Sequence, residues 1–108
     1  MNDTLLANLL TFYEEDPNDP FNIYALAIEY TKSDSTQASR FFDILLSEHP
    51  EYLPTYYHAG AFFAEMEQSE KAEEIYQKGV ELARKQGNMK ALSELQRAYN
   101  NFLDELDD

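Results

Sequence analysis

Apolar positions along this chain recur at intervals of three and four. Leu5, Leu6, Leu9, Leu10, Phe12 and Tyr13 predict a first helix, with Asp3 or Thr4 as its N-cap and Pro17 beyond its end. Asp19 and Pro20 supply a cap and a first-turn proline for a second helix, where Ile23, Leu26, Ala27 and Tyr30 form an i, i+3, i+4, i+7 stripe reaching Thr31. Ser35 is the expected cap of a third, with Ala38, Phe41, Phe42, Leu45 and Leu46 on its buried face. A fourth is expected over 52–66. Ser69 is the expected cap of a fifth, with Ala72, Ile75, Tyr76, Gly79, Val80 and Ala83 inward and Gly87 placed as a left-handed residue after its end. Asn88 opens a sixth, with Ala91, Leu92, Leu95, Tyr99, Phe102, Leu103 and Leu106 on one side, and Asp107 and Asp108 fray. No segment alternates strictly or is rich in β-branched residues, so the expected class is all-α.

Sliding the chain against itself reveals a repeat of 33 to 34 residues. Pro17, Tyr24, Ala27 and Tyr30 match Pro50, Tyr57, Gly60 and Phe63 at a spacing of 33; Ser35, Ala38 and Phe42 match Ser69, Ala72 and Tyr76 at 34. The slip of one lies in the turn, where Lys32-Ser33-Asp34 is answered by Glu65-Met66-Glu67-Gln68, and turns tolerate such changes better than packed helices do.

These positions resemble the tetratricopeptide repeat, whose pattern is Trp-x2-Leu-Gly-x2-Tyr, then Ala-x3-Phe, then Pro. One copy reads Ile23-x2-Leu26-Ala27-x2-Tyr30, Ala38-x3-Phe42, Pro50. The next reads Tyr56-x2-Ala59-Gly60-x2-Phe63, Ala72-x3-Tyr76, with Arg84 in place of the proline, so its second helix is expected to run on. Small residues at the crossings let antiparallel helices approach, while the rings beside them fill the space between repeats. The resemblance implies a right-handed α-α superhelix of hairpins and one domain over 1–108: an N-terminal helix (1–16), repeats at 17–50 and 51–87, and a capping helix (88–108). In that cap Gln96 replaces the small residue, and the polar ends fit a small stand-alone, bacterial-type domain.

In this family the first helices of the repeats line a concave groove that takes a peptide or helix of a partner. Carried over by position, the groove-facing set is Tyr24, Ile28 and Thr31, then Tyr57, Ala61 and Ala64, then Ser93 and Arg97 from the cap. Tyrosines one repeat apart offer rigid area and a hydroxyl, a composition suited to recognition. The alternative for Tyr24 and Tyr57 is packing between helices. The chaperone-binding branch clamps a C-terminal carboxylate with Lys and Asn, but those places here hold Tyr24, Ile28, Tyr57, His58 and Ala61, so that clamp is not expected.

Charge narrows the partner. The chain carries 8 Lys plus Arg against 21 Asp plus Glu, a net charge of −13, which disfavours nucleic acid and anionic membrane surfaces. The first 70 residues hold 2 basic and 13 acidic side chains, which favours a cationic or apolar segment over an acidic tail. The absence of cysteine excludes disulfides and thiolate sites, and the start of the chain has no basic, apolar leader, so a mature cytoplasmic protein is expected. No cofactor is expected: His49 and His58 fit no metal motif, and Asp16-Pro17-Asn18-Asp19 lacks the glycine and distal Glu of a calcium loop. No phosphate loop, nucleophile elbow or triad appears, so no catalysis is expected. Glu67–Lys71, Glu74–Lys78 and Glu81–Lys85 are expected helix-surface pairs. The expectation is a non-catalytic adaptor; the alternative is a homodimer through Leu5, Leu9, Phe102 and Leu106 on the end helices.

Overall fold

The computed structural model describes residues 3 to 107 of the chain. They form six helices: α1 (Asp3–Glu15), α2 (Pro20–Tyr30), α3 (Ser35–Glu48), α4 (Pro54–Glu65), α5 (Ser69–Gln86) and α6 (Met89–Leu106). None is long and apolar enough to cross a membrane. The chain divides into two compact units between Tyr52 and Leu53.

In the first unit α2 and α3 pair as a hairpin and α1 packs on α2. Asp19 caps α2 by accepting from Phe21 N at 3.0 Å, and Pro20 opens the helix with a φ already suited to it. Asn22 Nδ2 ties the end of α1 to this start, donating to the carbonyls of Phe12 (3.2 Å) and Asp16 (3.1 Å). The cap of α3 is Asp34, whose carboxylate accepts from Gln37 N, and not Ser35, which is the first helical residue. A carboxylate at the positive end of the helix dipole explains the preference. Because α1 already begins at Asp3, neither Asp3 nor Thr4 precedes it, and its cap lies outside the described residues. The expected fraying of Asp108 lies outside them too. Leu26, Ala27, Ala38, Phe42 and Leu45 have no exposed surface. Phe41 is held between the stacked ring of Tyr30 at 5.8 Å and the edge of Tyr13 at 5.4 Å. Each such burial contributes about 1.5–3 kcal/mol. Pro50, grouped by the repeat pattern with the packing residues, is instead exposed. Its role is in the turn, since proline cannot continue a helix.

In the second unit α4 pairs with α5 and α6 packs on both. Two glycines set the distances. A Cβ on Gly60 would lie 2.6–2.9 Å from the ring of Tyr76, and a Cβ on Gly79 would lie 2.6 Å from Tyr56 Cβ and 3.2 Å from Leu95 Cδ2. Tyr76 continues the packing to α6, stacking on Tyr99 at 6.0 Å and tilting against Phe102 at 5.7 Å. Tyr99 then donates to Glu73 Oε2 and accepts from Gln77 Nε2, both at 2.9 Å; burial and then the Glu73 bond raise its pKa, and the Gln77 bond opposes them. Phe63 is fully buried, with Lys71 Nζ 4.0 Å from its ring centre. Gly87 closes α5 at φ 71°, and Asn88 caps α6 by accepting from Ala91 N. Helix α5 has 18 residues against 14 in α3, as the missing proline requires.

Two expectations fail here. The cap position of α5 is Gln68, without a side-chain bond, and Ser69 is the first helical residue, as Ser35 is in α3. The preceding turn puts Glu67 at φ 62°, outside α5, so Glu67 and Lys71 are not a pair within one helix. Glu74 and Lys78 do close, at 3.0 Å. Leu106, at the end of the apolar stripe of α6, is 49% exposed. The left-handed φ of Glu67 costs about 1 kcal/mol that glycine avoids, so Glu67→Gly is expected to raise the melting temperature by roughly 4 °C in calorimetry. A fall would show that the turn is held by the Glu67 side chain.

Thr55 is fully buried, and its Oγ1 has no hydrogen-bond partner among the described residues. Removing a buried, unsatisfied hydroxyl while keeping the shape is neutral or favourable. Thr55→Val is therefore expected to leave stability unchanged or raise it by about 1 kcal/mol on denaturant titration.

Candidate functional site

The expected partner-facing residues divide by unit. On α2, Tyr24 and Ile28 are half-buried, and Thr31 is exposed at the helix end, where its Oγ1 donates to the Ile28 carbonyl at 2.6 Å. Tyr24 meets the Tyr52 ring edge-on at 5.8 Å and lies 6.4 Å from Phe21. Burial raises the pKa of both tyrosines; for Tyr52, the neighbouring Tyr24 and the Asp19 carboxylate add to it. Tyr24 thus combines packing with partial exposure. Lys32, one of the few cations of this region, is paired with Glu29 at 3.1 Å.

On α4, Tyr57 is 46% exposed, Ala61 is exposed and Ala64 half-buried. These three line a hollow of about 390 Å³ between α4 and α6, with Tyr76 and Phe102 beneath and Ala98, Asn101 and Leu106 on the α6 side. Glu65 and Glu105 also border it. Burial raises the pKa of Tyr76, and Tyr57 and Glu105 raise it further. His58, beside Tyr57, has its pKa lowered by burial.

Ser93 and Arg97 do not meet Tyr57. They line a separate hollow of about 620 Å³ with Arg84, Leu92, Gln96 and Asn100. The α6 residues that do reach Ala61 and Ala64 are Ala98, Asn101, Phe102, Glu105 and Leu106. Transfer of repeat positions missed them because α6 ends the series and departs from the repeat pattern at Gln96. Phe102 and Leu106 carried a signal, the apolar stripe of α6; Asn101 and Glu105 carried none. Among the described residues no three His, Asp or Glu side chains gather as metal ligands.

Comparison with solved structures turns this geometry into a family assignment. A crystal structure of a tetratricopeptide repeat domain protein from Salinibacter ruber is 39% identical over 80% of this chain and 97% of that one, with a TM-score of 0.74. The chain belongs to the tetratricopeptide repeat family. A solution NMR structure of a tetratricopeptide repeat domain protein from the same organism agrees, at 41% identity over 81% of this chain and 89% of that one, with a TM-score of 0.75. No family model and no curated protein matches the sequence. Tetratricopeptide domains are, as a family, helical repeat scaffolds that bind other proteins and are generally without catalytic activity. This chain shares the all-α hairpin fold of that solenoid class.

Proposed function

We propose that this tetratricopeptide protein is a non-catalytic cytoplasmic adaptor whose 108 residues act as one domain, and that it holds a peptide or helix of a partner on the first helices of its repeats. The observation that carries this is Tyr57, an aromatic side chain left 46% exposed beside small Ala61 over a hollow with an apolar floor. Large exposed rings next to small residues give area at low entropic cost, the usual composition of recognition surfaces. On α2 the corresponding partner-facing residues are Tyr24, Ile28 and Thr31, and on the cap Ser93 and Arg97. The partner is apolar or basic, in keeping with a net charge of −13.

Affinity capture with wild type and Tyr57→Ala, each followed by a melting curve, tests this. The variant is expected to lose partner retention with little change in melting temperature; unchanged retention with a large thermal loss would make Tyr57 a core residue. A second reading has its own support. Leu5 and Phe12 of α1 are 39% and 52% exposed, and with half-buried Leu9 they form an apolar stripe that a second copy could cover. Light scattering at rising concentration separates the two: a constant mass of 12.6 kDa excludes the dimer.

A further inference from the structure

The hollow between α4 and α6 joins an apolar floor to a polar rim that includes two carboxylates. Its lining includes the carboxylates of Glu65 and Glu105, the phenols of Tyr57 and Tyr76, and no Lys, Arg or His. Among the described residues neither carboxylate has a salt-bridge partner and neither phenol a hydrogen-bond partner, although Tyr76 is otherwise only 4% exposed.

Resting on the reading of this face as a binding surface, the geometry points to a more specific occupant: one arginine side chain of the partner, flanked by apolar residues. Charge complementarity selects a cation, because two carboxylates face the hollow with no basic side chain in its walls. The exposed ring of Tyr57 selects a guanidinium over an ammonium. A guanidinium is planar, stacks on aromatic faces and carries five N–H donors, which suits a site offering two carboxylates and two phenol oxygens. Ala61, Ala64, Ala98 and Leu106 supply the dry contacts for the flanking apolar residues.

The test needs no known partner. Random twelve-residue peptides displayed on phage are selected on the whole wild-type chain and on Glu65→Gln/Glu105→Gln, whose changed side chains are exposed and leave the core intact. Selected peptides are then titrated into the labelled wild-type protein and followed by amide chemical shifts. The expected result is enrichment of arginine, over lysine and over the starting library, in peptides that shift the amides of Ala61, Ala98 and Asn101. Affinity for those peptides is expected to fall about tenfold in the double variant and to weaken with salt. Peptides that shift the same amides without arginine enrichment would overturn the arginine inference and leave the binding face standing. Peptides that shift other amides only, or no selection at all, would overturn both.

Discussion

Gly79→Leu is expected to destabilise the protein by roughly 3 kcal/mol or more, the upper range for overpacking a close contact. A Cβ at this position would already sit 2.6 Å from Tyr56 Cβ, an atom fixed to the backbone of α4 that cannot swing aside, and 3.2 Å from Leu95 of α6. Helices α4 and α5 would have to separate, loosening the contact with α6 as well. Gly60→Leu is expected to cost about 1–3 kcal/mol, somewhat less, because its nearest atoms belong to the Tyr76 ring and not to a backbone-fixed Cβ. Gly87→Ala provides a control of a different kind: nothing lies within 4 Å of it, but its φ of 71° makes any side chain cost about 1 kcal/mol in conformation alone. Urea titration of the three variants checks the ranking. If Gly79→Leu were as stable as wild type, the close approach of α4 and α5 would be wrong.

Phe42→Ala and Phe63→Ala are expected to cost about 3–5 kcal/mol each, a large fraction of the stability of a domain of this size. Both rings are fully buried, and truncation removes their contacts and leaves space that backbones held by hairpin partners cannot close. Phe12→Ala and Phe21→Ala, at 52% and 58% exposure, are expected to change stability by about 0.5 kcal/mol or less. Equal losses at all four positions would mean that the rings at repeat positions do not mark the core.

Why the fold was so readable follows from the repeat. Ala27, Gly60, Ala38 and Ala72 hold the small positions of the repeat pattern, and all four are buried. The six-helix order, the left-handed Gly87 and the long α5 are likewise legible in single residues. Capping was less so. Asp34 and Ser35 are adjacent and both competent, and only backbone dihedrals decide between them. Glu67 was invisible for a related reason: the one-residue slip locates the extra turn residue but not which residue takes the positive φ.

The candidate surface was half legible. Repeat spacing marks Tyr57, Ala61 and Ala64 because α4 keeps the pattern. It does not mark Asn101 or Glu105, because α6 departs from the pattern at Gln96 and its contacts with α4 depend on how it is seated. Burial of Tyr24 against Tyr52 depends on a turn residue that the repeat does not constrain.

The most direct measurement is site-specific photocrosslinking in cells, with p-benzoylphenylalanine at position 57 and, separately, at position 12. The expected result is an adduct with a different protein from position 57, abolished by Ala61→Arg, which fills the hollow without entering the core. No adduct from position 57, together with a species of twice the chain's mass from position 12, would contradict it and favour self-association through α1.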